Sequence, residues 1–138
     1  MQLTTFTDNA FRLLIYLAAE PERSATIGEI AEYFAISHHH LVKVAHRLRQ
    51  GGFIVTQRGK GGGIRLARPA AEINLGEVIR WMEPNLALVE CQQAGETRCR
   101  AAPTCRLSQV FDEALAAFLA TLDRYTLADA LARDGRAE

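Results

Sequence analysis

The stretch TIGEIAEYFAISHHHLVKVAHRLRQGGFIVTQRGKGGGIRLARP, residues 26–69, decides the fold. Thr26 with Glu29 three positions later is typical of a helix N-terminus, and apolar residues follow at helical spacing. After the break at AIS, Ser37 precedes a second helical pattern that ends at the glycine pair 51–52. Two short helices joined by a tight turn, the second rich in basic residues and histidines, predict a helix-turn-helix.

The segment after the second helix has the pattern of a β-hairpin. Two β-prone runs, 53–57 and 64–68, flank the tip RGKGGG, whose glycines permit positive φ angles. A basic hairpin directly after a helix-turn-helix predicts a winged helix. The tip lacks the Gly-Lys-Ser/Thr ending of a phosphate-binding loop and no helix pattern follows it, so a nucleotide site is disfavoured.

Further helices are predicted on either side of this unit. Residues 6–19 and the segment INLGEVIRWMEP, which ends at Pro84, each carry an apolar face. Residues 105–132 predict one long helix, whose apolar stripe exceeds what the small N-terminal domain covers and therefore indicates a two-fold dimer. The predicted fold class is mainly α with a small β-hairpin wing: a winged helix-turn-helix plus a long C-terminal dimerisation helix.

The predicted domains follow from these elements. Residues 1–84 form the winged helix-turn-helix DNA-binding domain, 85–105 a cysteine-rich loop, and 106–138 the dimerisation helix and tail. The 138-residue chain contains 49% hydrophobic and 23% charged residues, which is ordinary for a globular protein. We expect a cytoplasmic protein without a membrane partner, because no apolar run approaches the roughly 20 residues of a membrane span and the start lacks an export signal.

The net charge of the chain is zero, but its distribution is uneven. Residues 38–68 hold seven Lys/Arg, no Asp/Glu and all four histidines. Such a basic patch is the footprint of a nucleic-acid surface, although charge alone equally fits a solvated face. We expect helix 38–50 in the major groove and the wing on phosphates or in the minor groove. The expected DNA-binding residues are Ser37, His38, His39, His40, Lys43, Arg58, Lys60 and Arg65.

All three cysteines of the chain lie within fifteen residues, in VECQQAGETRCRAAPTC, 89–105. A disulfide framework is disfavoured by the odd number and by the expected reducing compartment. Structural zinc usually takes four Cys/His ligands, often in close pairs, and here there is neither a C-x-x-C pair nor a nearby histidine. Three thiolates with a fourth ligand from elsewhere suit an iron–sulfur cluster better, although spacing alone leaves the choice open. Three unrelated cysteines are the remaining alternative, which their clustering disfavours.

Five segments together carry a family resemblance: MQLTTFTDNAFRLLIYLA, SHHHLVKVAHRLRQGGFIVTQRGKGGGIRLARP, IRWMEP, PTCRLSQVF and LDRYTLADAL. Over essentially its whole length, the chain resembles the NsrR/IscR-like family of iron–sulfur winged-helix transcription regulators. Its FTD opening and LDRYTLADAL ending are most similar to the nitric-oxide-responsive, NsrR-type branch. Ser108 stands where the IscR branch has a histidine.

The resemblance implies a ligand set for a [4Fe–4S] or [2Fe–2S] cluster. The set consists of Cys91, Cys99, Cys105 and an N-terminal carboxylate, which matches Asp8 here and would come from the partner protomer of a dimer. One departure is that seven residues separate the first two cysteines, where relatives usually have fewer. Lengthening a flexible loop costs little, so we expect this insertion to be tolerated.

The function implied is that of a homodimeric transcriptional repressor. It would bind a double-stranded DNA operator, sense nitric oxide through the cluster and release DNA when the cluster is damaged. An iron- or redox-responsive regulator of the same fold is an alternative, and a zinc-binding regulator is a less favoured one. No enzyme is expected, since no Ser/His/Asp arrangement is indicated and the adjacent histidines 38–40 point in different directions on a helix.

Overall fold

The computed structural model describes residues 1–95, 99–101 and 103–132; the predicted tail after residue 132 lies outside them. The chain is mainly helical with one two-stranded antiparallel sheet. Two short 3₁₀ turns lie at Ala70–Glu72 and Glu90–Gln92. The longer elements are α1 Thr5–Ala19, α2 Ile27–Phe34, α3 His38–Gln50, β1 Ile54–Gln57, β2 Gly63–Leu66, α4 Leu75–Met82, α5 Leu107–Leu122 and α6 Leu127–Leu131.

Both helices of the predicted helix-turn-helix begin at the capping residues expected from the sequence. Thr26 Oγ1 accepts the N–H of Glu29 at 3.1 Å, and the Glu29 carboxylate accepts the N–H of Thr26 at 2.7 Å. Between the helices Ala35 adopts a left-handed conformation, with φ of 54°. Ser37 Oγ then accepts the N–H of His40 at 3.3 Å. These local hydrogen bonds satisfy donors that a helix N-terminus leaves unpaired, which is why the two helices start where they do.

The wing is the hairpin of β1 and β2, with Ile54 paired to Leu66 and Gln57 paired to Gly63. Backbone hydrogen bonds of 2.9 and 2.7 Å also join Ile64 to Ala25, the residue before the cap of α2. A side chain at Gly63 would collide with the Ala25 carbonyl, so glycine is needed for this close approach. The hairpin is therefore anchored to the helix-turn-helix at its base.

The hydrophobic core lies between α1, the helix-turn-helix, the hairpin and α4. Helix α1 runs through its centre, and Ala10, Leu13 and Leu14 are fully buried. Phe53 and Ile54 close the core at the start of the wing, where each is 1% exposed. The remaining core residues include Leu17, Ile30, Leu41, Val44, Leu48, Ile64, Ile73, Val78, Met82 and Leu127.

The prediction of one continuous helix over 105–132 is wrong. Helix α5 ends at Leu122, the chain turns, and α6 begins after Thr126, whose side chain caps it. The Leu127 N–H donates to the Ile73 carbonyl at 2.8 Å, and the Leu127 side chain is fully buried in the core. A straight helix would carry Leu127 away from this site, and burying a leucine is worth about 1.5–3 kcal/mol. The burial of Leu127 therefore accounts for the turn between α5 and α6.

Helix α5 is held at its C-terminal end and exposed along its length. Two hydrogen bonds of 2.6 and 2.7 Å join the Arg80 guanidinium of α4 to the Asp123 carboxylate. This pairing lowers the pKa of the Asp123 carboxyl. No residue of α5 is buried, and Leu107, Val110 and Phe118 are 52%, 56% and 40% exposed. The apolar stripe predicted from the sequence is therefore only partly covered in the single chain, where Phe111, Leu115 and Leu122 are half-buried.

A reciprocal contact between Arg47 and Trp81 ties α3 to α4. The Arg47 guanidinium lies 3.8 Å from the centre of the indole ring and donates to the Trp81 carbonyl at 3.0 and 3.3 Å. In return, Trp81 Nε1 donates to the Arg47 carbonyl at 2.7 Å. The contact requires glycine at position 51, because a Cβ there would lie 2.6 Å from Trp81 Nε1 and 2.8 Å from a ring carbon of Phe53.

We predict that Gly51→Ala destabilises the protein by about 1–3 kcal/mol, because the added methyl overpacks the α3–α4 contact. The control is Gly28→Ala, where the nearest atom to the new Cβ is 3.9 Å away. That change should be neutral or stabilising by up to about 1 kcal/mol, since alanine is the better helix former. Urea unfolding measures both values. Equal stabilities of the two variants would contradict the packing described for Gly51.

Candidate DNA interface and cysteine loop

The outer face of α3 is exposed and carries most of the residues predicted to contact DNA. His38, His39 and Lys43 are all exposed on it. Val42 is 41% exposed on the same helix. Ser37 is exposed as well, but its hydroxyl is engaged as the helix cap. Helix α3 thus presents hydrogen-bond donors and one apolar side chain at its N-terminal end, where helix-turn-helix proteins contact base edges.

His40 is oriented differently from its two histidine neighbours. It is half-buried, and its ring packs edge-on against Phe6 of α1, with ring centres 6.0 Å apart. Its Nε2 is buried without a hydrogen-bond partner among the described residues. The structure therefore places His40 between α3 and α1, and a DNA contact from it stays a prediction. The inward orientation of His40 could not be predicted from the sequence, because nothing in the pattern distinguishes it from the two adjacent histidines.

The wing supplies the second group of predicted contacts. Arg58 and Lys60 lie exposed at its tip, and Arg65 is half-buried on β2, opposite Val55. In the described part of the chain none of these three forms a salt bridge. Their charges are therefore available to an anionic partner, as a wing that contacts phosphates requires.

Two of the seven basic residues in the 38–68 patch have structural roles instead. Arg47 makes the reciprocal contact with Trp81. Arg68 lies 5.3 Å from the centre of the Phe53 ring and pairs with Glu77 at 3.3 Å. Counting charges cannot separate these residues from those facing outward, because the distinction depends on which aromatic ring folds beneath each guanidinium.

The cysteine loop follows α4, and all three of its cysteines are exposed. Cys91 lies in the Glu90–Gln92 turn, and Cys105 lies just before α5, where its Sγ accepts the Leu107 N–H at 3.4 Å. Within residues 1–95, 99–101 and 103–132, no group of three or more Cys, His, Asp or Glu gathers to hold a metal. The described part of the loop therefore offers accessible thiols.

Gln92 joins the two ends of this loop and was not recognised from the sequence. Its Oε1 accepts the N–H groups of Leu88 and Val89 at 2.8 and 3.3 Å. Its Nε2 donates to the Asp112 carboxylate at 2.6 Å and to the Ser108 carbonyl at 3.4 Å. The residue after Cys91 is thereby bound to the first turns of α5, three to seven residues beyond Cys105.

Asp8 lies on α1, where its carboxylate pairs with Arg12 at 3.1 Å. Its side chain is 55% exposed, so the carboxylate is accessible from outside. Among the described residues it is not gathered with the cysteines into one donor group. A role for Asp8 as ligand stays a prediction, and the exposure fits a carboxylate that would act on another protomer.

The start of α1 is fixed by Glu83, the residue that follows α4. Its carboxylate accepts the Thr7 hydroxyl at 2.5 Å and the Thr4 N–H at 3.2 Å. A carboxylate at a helix N-terminus is favoured by the helix dipole and by the unpaired N–H groups there. The end of α4 therefore contacts α3 through Trp81 and α1 through Glu83, immediately before the cysteine loop begins.

In the described residues, no helix is both long enough and apolar enough to cross a membrane. Comparison with known proteins gives a consistent picture. The family model described as Rrf2, iron-dependent transcriptional regulator, matches residues 3–133. The HTH-type transcriptional regulator NsrR of Bacillus subtilis is 49% identical over 130 residues, covering 94% of this chain and 89% of the relative. The protein of the same name from Geobacillus kaustophilus is 50% identical over 132 residues, covering 95% and 90%.

Solved structures share the fold. The structure of CymR, the global cysteine regulator of B. subtilis, superimposes with a TM-score of 0.74 at 25% identity, covering 94% of this chain and 95% of that one. The T. potens IscR structure gives 0.73 at 24% identity, covering 95% and 86%, and shows the fold alone. The predicted winged-helix fold class is confirmed, and so is the expectation that the chain is not an enzyme, because these relatives are regulators.

We predict that Lys60→Ala weakens binding to every DNA sequence and lowers the slope of log affinity against log salt by about one, because one phosphate contact is lost. Binding is measured by fluorescence anisotropy at several salt concentrations. The control is Arg124→Ala, since Arg124 lies beside Tyr125 after α5, outside the basic patch. An unchanged slope in the Lys60 variant, or an equal change in both variants, would contradict the assignment of the wing.

Proposed function

The chain belongs to the Rrf2 family of transcriptional regulators, and from that premise we propose that it is a nitric-oxide-responsive repressor. In this proposal a homodimer binds operator DNA while an iron–sulfur cluster is present and releases it when nitric oxide damages the cluster. The observation that carries the proposal is the position of the cysteine loop. Three exposed thiols lie in the loop that follows α4, and the end of α4 contacts both the recognition helix α3 and the first helix α1.

The donor residues fit such a cluster. Thiolates are the usual ligands of iron–sulfur clusters, and the loop presents the thiols of Cys91, Cys99 and Cys105 without burying any of them. Asp8 would supply the fourth ligand from the partner protomer, consistent with its exposed carboxylate. When bound, the cluster would supply iron that nitric oxide can attack, and an iron whose protein ligand is a carboxylate would be more labile than one whose protein ligand is a thiolate. The FTD opening and LDRYTLADAL ending, which resemble the NsrR-type branch, favour nitric oxide over iron or redox state as the signal.

The dimer in this proposal forms through α5. Helix α5 buries none of its own residues in the single chain and exposes an apolar stripe that includes Leu107, Val110 and Phe118. Exposed apolar patches of this kind mark protein–protein contacts. A two-fold arrangement of α5 also suits DNA reading, because two recognition helices are then held at a fixed spacing on paired half-sites.

The chain's own contacts explain how the loop would control DNA binding. When the three cysteines of one protomer and Asp8 of its partner hold the same cluster, the loop of the first protomer is joined to α1 of the second. Glu83, just before the loop, holds Thr4 and Thr7 at the start of α1, and Trp81 holds Arg47 of α3. Release of the loop then loosens the end of α4 and the first turn of α1. The spacing of the two recognition helices is no longer fixed, and affinity for paired half-sites falls.

We predict that DNA affinity falls at least about tenfold when the cysteines lose their common ligand, which corresponds to a coupling free energy of ~1–3 kcal/mol. Affinity is measured for a duplex selected from random DNA by the anaerobic wild-type protein. Samples are reconstituted protein, the same protein after nitric oxide, and the Cys91→Ala, Cys99→Ala, Cys105→Ala and Asp8→Ala variants. Iron and zinc contents and visible absorption are recorded for each.

Glu22→Ala is the matched control for Asp8→Ala, because Glu22 is an exposed acid just after α1. Equal affinity of cluster-loaded and nitric-oxide-treated protein would contradict the proposed switch. A colourless protein containing zinc would favour a zinc-binding regulator instead. An Asp8 variant that still holds its cluster and still responds would remove only the assignment of Asp8.

A further inference from the structure

Gln92 makes four hydrogen bonds that no other side chain of the described cysteine loop matches. It accepts two backbone N–H groups from Leu88 and Val89 and donates to Ser108 and Asp112 on α5. The side chain is half-buried, whereas its neighbour Cys91 is exposed. One amide therefore uses both its oxygen and its nitrogen to close the loop onto the helix that follows it.

We propose that Gln92 is a positioning residue that fixes the separation of Cys91 and Cys105 before they bind the same iron–sulfur cluster. The inference rests on the proposed function. Cys91 precedes Gln92 directly, and Cys105 lies two residues before the start of α5, with its sulfur bound to the Leu107 N–H at 3.4 Å. Fixing Gln92 on Ser108 and Asp112 therefore places both cysteines at the N-terminal end of α5. The hydrogen bonds of Gln92 thus join the two chain segments that carry these cysteines.

The chemistry of the amide explains why glutamine is required. Its oxygen meets two donors and its nitrogen meets a carboxylate, so the group must be an acceptor on one side and a donor on the other. A carboxylate in its place would still accept from Leu88 and Val89 but would face Asp112 as a like charge. An apolar residue would lose all four hydrogen bonds. The hydrogen bond to the charged Asp112 is the strongest kind available to a neutral amide.

Because Gln92 holds the loop in place before the cluster binds, its removal should affect how long the cluster stays bound. Without Gln92, each binding of the cluster costs the conformational entropy of bringing Cys91 to Cys105. The cysteines then also dissociate from the cluster more readily. Gln92 touches no cysteine in the described contacts and is not itself a ligand. Its removal should therefore change how long the ligand is held while leaving the fold of the DNA-binding domain intact.

Cluster loss is compared in four proteins: wild type, Gln92→Glu, Asp112→Asn, and the double variant Gln92→Glu/Asp112→Asn. A fifth protein, Gln92→Leu, is used for hydrogen exchange. Gln92→Glu should lose its cluster to a chelator roughly ten- to a hundredfold faster than wild type, because it loses the Nε2 hydrogen bonds to the charged Asp112 and to the Ser108 carbonyl. Asp112→Asn keeps an acceptor for Gln92 but removes its charge, so it should lose the cluster at a rate between those of wild type and Gln92→Glu. The double variant restores the pair with residue 112 in the opposite direction but not the long hydrogen bond to the Ser108 carbonyl, and it should recover most of the slow loss.

The rate of cluster loss is followed by visible absorption, and iron is counted at the start. Two further readouts are independent of the cluster. The thermal midpoint should be unchanged in all four proteins, and hydrogen exchange of the Leu88 and Val89 amides in cluster-free protein should be faster in Gln92→Leu than in wild type. Equal rates of cluster loss in wild type and Gln92→Glu would overturn the inference, as would a double variant that is not rescued. A wild-type protein that holds no cluster would overturn the proposed function as well.

Discussion

The reciprocal contact between Arg47 and Trp81 is the interaction that fixes α3 of the helix-turn-helix to the end of α4, the helix that precedes the cysteine loop. It combines a cation–π contact of 3.8 Å with hydrogen bonds in both directions, and it fixes the recognition helix to α4. Two residues later Glu83 binds the start of α1. Because Met82 between them is buried in the core, the end of α4 cannot shift without moving both helices. The cysteine loop begins just after this junction, and we propose that a group bound by the loop acts on the helix-turn-helix through the end of α4.

Much of the fold could be predicted because its signals are local. The capping pair Thr26 and Glu29, the cap at Ser37 and the break at the 51–52 glycines fix helix ends within a few residues of where they act. The one failure of the helix assignments came from a distant constraint. The break between α5 and α6 arises because Leu127 is buried in a core built by residues at least 45 positions earlier, the last of them Met82. Periodicity within 105–132 contains no information about that core.

The candidate site shows the same division between local and distant causes. Exposed residues of α3 and the wing were predictable from charge and position, whereas the inward orientation of His40 and the structural use of Arg47 depend on Phe6 and Trp81. The cysteines were recognisable by their clustering, but Gln92 was not, since a lone glutamine carries no pattern. Its importance appears only when Asp112, twenty residues on, folds against it. Ligand assignments for Asp8 and the cysteines rest on family resemblance and on exposed donors.

The most direct measurement is the ratio of operator affinities between cluster-loaded and cluster-free protein in wild type and in Trp81→Phe. Phenylalanine keeps a ring beneath the Arg47 guanidinium but removes the Nε1–H donor to the Arg47 carbonyl. If the end of α4 couples the cysteine loop to α3, the wild-type ratio is at least about tenfold and the variant's ratio falls by roughly two- to tenfold, with equal iron content. A variant with the wild-type ratio and full iron content would contradict coupling through this contact.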